Sequence, residues 1–147
     1  MNKLTAAMRI VLANVFIMYF KAHAAHWNVE GPMFSQYHEF FGDLYDELYG
    51  SVDDIAEHIR AIDGFAPFSL VDLLSAGTVG EDKAKPATIL ETLNNLLTAN
   101  NETIASMNKA FSLAGDDQGL KNYLADRLDK HAKHGWQIKA SLKNFGK

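Results

Sequence analysis

Apolar residues recur at alternating steps of three and four in four separate stretches, the spacing that lines one stripe of a helix. The first stripe is Leu4, Met8, Val11, Val15, Met18, Ala22 and Ala25; the second is Phe34, His38, Phe41, Tyr45, Leu48, Val52, Ile55, Ile59 and Ile62. The third is Leu90, Leu93, Leu97, Asn100, Ile104, Met107 and Phe111; the fourth is Leu120, Leu124, Leu128, His131, Gly135, Ile138 and Leu142. Gly31-Pro32 ends the first, because a residue before proline is pushed out of the helical region. The segment from Gly64 to Pro67 breaks the second and Gly115 the third. Ser69 is placed to cap a short helix through Leu74, with Asp72 at the capping-box position. No useful stretch alternates with period two. The pattern predicts an all-α fold of four long helices, with a small helix inside the crossover between the second and third.

The first helix carries more apolar residues than its stripe needs: Ile10, Leu12, Phe16, Ile17 and Phe20 lie outside it. Surplus apolar surface points to a homo-oligomer; a thicker core capped by the crossover helix is the alternative. Lys3 and Arg9 before the run Ile10 to Phe20, with Ala22-His23-Ala24 after it, mimic a cleavable leader. Against that, the run carries the stripe that the domain needs, and it falls short of the about 20 residues that span a bilayer. The expectation is a cytoplasmic protein without a membrane segment.

The chain has 147 residues, enough for one domain over 1–147. Its formal charge of -4 argues against a body built to grip nucleic acid. It has no cysteine, which removes thiolate metal sites and disulfides. The remaining candidate ligands are His26, His38, Asp53 and Glu57, and mixed nitrogen and oxygen donors suit iron and its neighbours. Asp53 and Glu57 are four apart and share a helix face. His26 and His38 flank the first turn, about two helical turns from it on either side, on axes roughly 8–10 Å apart. From His38 to Asp53, however, the second helix rises about 22 Å. Either these are unrelated features, or an antiparallel second copy brings its acids to the first copy's histidines. A two-fold axis near Asp46 and Glu47 would do so and would create two sites. Alternatively, His38 is a core histidine, and Asp53 and Glu57 belong to a solvated acidic face.

The stretch His26-Trp27-Asn28-Val29-Glu30-Gly31-Pro32-Met33-Phe34, then His38, then Asp53-Asp54-Ile55-Ala56-Glu57, strongly resembles the signature of the Dps family of miniferritins. The likeness runs along nearly the whole chain, including the short crossover helix and the segment Lys130-His131 to Trp136-Gln137-Ile138. It implies a ferritin-like four-helix bundle, whose long crossover separates it from simple up-and-down bundles. It implies ferroxidase activity, with His26 and His38 of one subunit facing Asp53 and Glu57 of its two-fold mate. It further implies iron as substrate and cargo, with zinc as a substitute occupant. The expected assembly is a hollow dodecamer built from two-fold dimers, using hydrogen peroxide or oxygen as oxidant and protecting against oxidative damage. Trp27 corresponds to the family's tryptophan beside the oxidation site, and Asp116 and Asp117 to acidic pore residues; helix capping is the plain reading of those two.

One position departs from the pattern. Many members carry an acidic ligand four residues after the second histidine, where this chain has Gly42. That leaves a site holding one iron well and a second weakly, or one that uses water as the missing ligand. His23, a turn before His26, either contributes to the site or, as the plainer reading, is an exposed or capping residue. His58 should face elsewhere, and His131 and His134 should be core or surface residues. A conventional di-iron ferritin needs Glu-x-x-His pairs, and none occurs. A DNA-coating, nucleoid-associated protein with a weakened site is the alternative function. It would rely on the basic stretch 121–147, including Lys139, Lys143 and Lys147, because no basic tail precedes the first helix. A metal-free helical interaction protein is the third reading.

Overall fold

The computed structural model describes residues 1–145. Its helices are α1 (Lys3–Asn28), α2 (Phe34–Ala61), α3 (Leu70–Ser75), α4 (Ile89–Leu113) and α5 (Gln118–Leu142), and no strand occurs among the described residues. Polar side chains start four of the five. Asn2, Ser69, Thr88 and Asp117 each accept a hydrogen bond from a first-turn amide, satisfying a donor that has no partner within the helix. Thr88 caps the Glu91 amide, and the Glu91 carboxylate reaches back past it to accept from the Ala87 amide at 3.0 Å, a near-relative of the reciprocal box. Asp72 does not complete such a box; its carboxylate binds Arg9 of α1 at 2.9 Å.

The closest packing joins α1 to α2, α1 to α4 and α4 to α5. Covered by α2, α4 and the crossover, α1 is apolar nearly all round: Met8, Val11, Val15, Met18 and Ala22 have no exposure. By length and composition the whole of α1 would suit a bilayer, unlike its inner run alone, yet over half of its most apolar stretch is buried inside the bundle. Its surplus apolar residues divide. Leu12 and Ile17 are buried, which fits the thicker core, whereas Phe20 remains 48% exposed, which fits a partner surface. Asn14, fully buried on α1, ties down the crossover. Its Oδ1 accepts from the amides of Thr78 and Val79, and its Nδ2 donates to Thr78 Oγ1.

The third stripe is rotated from its expected azimuth. Leu90 is exposed, and Leu97, Ile104 and Phe111 are only half-buried. The face turned inward is Leu93, Leu96, Asn100, Thr103, Met107 and Ala110. Small residues let α4 approach its neighbours closely, so packing and not apolar bulk sets its orientation.

The core forms two apolar clusters. One gathers Met8, Val11, Val15, Ile55, Ile59, Met107 and Leu124; the other gathers Met18, Ala22, Phe41, Leu48, Leu93, Leu96 and Ile138. Between them lies a polar layer of Glu47, Asn100, Arg127, His131 and His134.

Candidate metal centre

His26 sits in the last turn of α1 and His38 in the second turn of α2. Each ring is tied to the other residue's backbone: His26 Nδ1 donates to the His38 carbonyl at 2.6 Å, and His38 Nδ1 donates to the His26 carbonyl at 2.8 Å. A carbonyl only accepts, so both Nδ1 atoms carry the proton and both Nε2 lone pairs stay free for a cation. The His26 carbonyl is one of the last in α1 and lacks a helical partner, which is why it can accept. The rings stack at 3.8 Å and 17°, and Phe34 stacks on His38 at 4.9 Å. Gly42 makes room for this arrangement: a Cβ there would lie 3.0 Å from His26 Nδ1. The missing ligand at 42 is therefore also the space in which the His26 ring sits.

The acidic half lies elsewhere on α2. Asp53, Asp54 and Glu57 are all exposed, with ligand oxygens within 4.8 Å of one another. Asp54 joins this cluster although the ligand spacing does not single it out. The carboxylate of Asp53, by hydrogen bond and charge, pushes the Glu57 carboxyl above its ordinary range. The four expected ligands are thus brought together as two halves. Histidines and acids do not meet within the chain, in keeping with the about 22 Å rise between them. Of the two residues near the expected axis, Asp46 is exposed, but Glu47 points inward to α5.

A run of rings adjoins the imidazole pair. The sequence suggests an exposed or capping His23, but it is half-buried: it lies flat on Tyr45 at 3.8 Å, and its Nδ1 shares a hydrogen bond with the Tyr19 hydroxyl at 2.8 Å. Burial lowers the His23 pKa and raises that of Tyr19, so both are neutral partners at ordinary pH. Trp27 leans on His23 at 4.2 Å and remains 57% exposed. His58 faces away, with its Nδ1 donating to the Asp54 carbonyl and its ring stacked on Tyr123 at 4.1 Å.

The polar layer is the part that sequence reasoning missed. Arg127 donates two bonds to Glu47, at 2.6 and 3.0 Å, and His134 Nε2 donates to Glu47 Oε1 at 2.7 Å. Burial alone would raise Glu47, but the bonds and charges from His134 and Arg127 outweigh it and hold the carboxyl well below the usual range. His131 and Asn100 pair reciprocally, imidazole Nδ1 to amide oxygen and amide nitrogen to the His131 carbonyl. Burial, helped by the Arg127 charge, drives the His131 pKa down to about 3. A signal existed: Arg127, His131 and His134 share the inward face of α5 at steps of four and three. The layer puts a guanidinium at mid-bundle, where an intra-bundle di-iron protein would place carboxylates.

Asp117 caps α5 by accepting from the Leu120 amide at 3.0 Å, while Asp116 is exposed. On α5, Lys130, Lys133 and Lys139 are exposed, as is Lys143 at its C-cap, but Arg127 is withdrawn into the core. Lys147 lies outside the described residues.

Residues 5–147 match the ferritin-like domain family. The DNA protection during starvation protein of Brevibacillus brevis is 31% identical over 137 residues, covering 89% of both chains. Among solved structures, the Dps of Staphylococcus aureus superposes with a TM-score of 0.87 at 28% identity, covering 95% of this chain and 94% of that one. The Dps of Vibrio cholerae O1, described as one of a broad superfamily of ferritin-like diiron-carboxylate proteins, gives 0.89 at 25% identity, covering 95% and 89%.

Proposed function

Because the chain belongs to the Dps family of ferritin-like miniferritins, we propose that it oxidises ferrous iron at sites shared between two subunits and stores the ferric product. One observation carries this reading: two imidazoles have their Nδ1 atoms committed to carbonyls and their Nε2 atoms free, and among the described residues no acid joins them in a three-ligand cluster. The complementary acids stand exposed a helix-length away, so two antiparallel copies complete both sites at once. Exposed Phe20, Trp27 and Phe34 lie near the imidazole half, and Phe65, Phe68, Leu70 and Val71 lie exposed beside or on α3, apolar surface that a second copy would cover.

In this reading ferrous iron is the substrate. His26 and His38 hold it by nitrogen, and Asp53 and Glu57 of the partner subunit neutralise its charge. Peroxide or oxygen takes its electrons, and ferric product collects inside a hollow dodecamer, which protects the cytoplasm from hydroxyl-radical chemistry. Zinc fits the same donors as a competing occupant.

Subunit mixing tests the shared site. A chain carrying His38→Ala and one carrying Glu57→Ala are each inactive alone. In a mixed two-fold pair, the intact histidines of one chain meet the intact acids of the other at one site of two. Random mixing makes half the pairs mixed, so about a quarter of wild-type ferroxidase activity returns. No recovery after confirmed subunit exchange would remove the shared site.

A second reading, coating of DNA, is favoured by the exposed lysines of α5. Its test is DNA retention that falls steeply with salt, as phosphate contacts require.

A further inference from the structure

Beside the imidazole pair, α1 and α2 hold a run of rings that iron binding does not use. The Tyr19 hydroxyl and His23 Nδ1 share a hydrogen bond of 2.8 Å, in which the hydroxyl donates when His23 carries its proton on Nε2. His23 lies parallel to Tyr45 at 3.8 Å and 6°, and Tyr45 reaches the ligand ring of His26 at 5.3 Å between centroids. Tyr19 also meets Tyr45 at 6.2 Å and Tyr49 at 4.9 Å. From Tyr19 to the metal ligand, every step is thus one ring beside the next.

Electron counting gives this run a task. Reducing hydrogen peroxide to water takes two electrons, and one ferrous ion supplies one. Gly42 withholds a side-chain donor from the site and gives its space to the His26 ring, which favours occupation by a single ion. The second electron must come from the protein, or hydroxyl radical is released beside the ligands.

We propose that Tyr19 supplies this electron and His23 Nδ1 takes the phenol proton. The step balances as follows. A ferrous ion, one peroxide, the Tyr19 phenol with its neutral His23 partner and two solvent protons give a ferric ion, two waters, a neutral tyrosyl radical and an imidazolium. The O–O bond breaks, the peroxide gains two electrons, and iron and Tyr19 lose one each. Tyr19 is favoured over Tyr45 and Tyr49 because its hydroxyl is the one hydrogen-bonded to a base among the described residues. A phenol oxidised without a proton acceptor becomes a strongly acidic, high-energy cation. Tyr19 is also half-buried, whereas Tyr49 is exposed.

The inference rests on the ferroxidase reading, and the test separates the two. The assembled protein is loaded without air with one ferrous ion per chain, mixed with one peroxide per chain, frozen within milliseconds and examined by electron paramagnetic resonance. The expected result is a tyrosyl radical whose line narrows with ring-deuterated tyrosine. In Tyr19→Phe, which removes only the hydroxyl, that signal falls at least tenfold while ferrous binding, followed by titration, stays unchanged. In His23→Leu the radical yield falls several-fold. Iron that binds and is oxidised without a protein radical, or a Tyr19→Phe variant with an undiminished signal of the same shape, overturns the assignment and leaves the ferroxidase reading standing. Failure of wild-type protein to bind or oxidise iron overturns both.

Discussion

Replacing Gly42 by alanine separates two roles of that position. A Cβ there would stand 3.0 Å from His26 Nδ1 and 3.1 Å from its Cε1, whereas ordinary contacts begin near about 3.5 Å. The imidazole must therefore shift by about 0.5 Å. Its 2.6 Å bond to the His38 carbonyl would then lengthen to the edge of the hydrogen-bonding range. For folding, the effects oppose: alanine in a helix interior gains about 0.8–1.0 kcal/mol over glycine, and a weakened hydrogen bond loses about 1 kcal/mol. Stability should stay within about 1 kcal/mol of the parent. Metal affinity has no such compensation, because loss of the bond that orients a ligand typically costs about 10–100-fold, or about 1.4–2.8 kcal/mol. Urea unfolding at fixed chain concentration reads the first quantity and an anaerobic ferrous titration reads the second. A variant stabilised by the full helix increment and binding iron as tightly as the parent would refute the steric argument.

Other outcomes follow from the same geometry. Asn14→Leu strands the Thr78 and Val79 amides and should cost about 2–3 kcal/mol, with faster proteolysis between 76 and 88. Acid should destabilise the fold below pH 6.5, because His131 binds a proton readily when unfolded but resists it down to about 3 when folded. Stability then falls with pH through that window at up to about 1.4 kcal/mol per unit, and His131→Gln should flatten the slope of urea midpoints above pH 5. Glu47 acts in the same direction lower down, its contribution draining away below its unfolded value of 4.5. Asp117→Asn keeps the α5 cap and should leave the melting temperature in place; if Asp116 and Asp117 line an iron entry route, their joint change to Asn slows iron uptake without loss of stability. Unchanged uptake reduces them to capping and surface residues.

The long helices were legible because periodic burial leaves its mark on composition, and the punctuation at Gly31-Pro32, Gly64 to Pro67 and Gly115 is local. The azimuth of α4 was not, since Ala99, Ser106 and Ala110 pack inward without looking apolar enough to claim the core. The candidate donor residues and the distance between the two halves could be read from residue spacing. The carbonyl partners of His26 and His38 could not, because backbone acceptors have no letter in a sequence. The mid-bundle layer was hidden for another reason: Arg127 reads as part of a basic stretch and His134 as either core or surface until Glu47, 80 and 87 residues away, is folded against them.

That layer sets the angular position of α2. An apolar stripe such as Phe41, Leu48, Ile55 and Ile59 tolerates rotation of a helix by a fraction of a residue, since hydrophobic contact is non-directional. A carboxylate held by a two-pronged guanidinium and an imidazole does not. Glu47 is therefore an index mark on the shaft: with it locked toward α5, each residue advances about 100° and about 1.5 Å, and Asp53 and Glu57 are delivered to the outer face at a set bearing. Swapping Glu47, Arg127 and His134 for well-packed apolar residues would thus yield a bundle as stable as the parent whose acids are aimed with a wider angular spread.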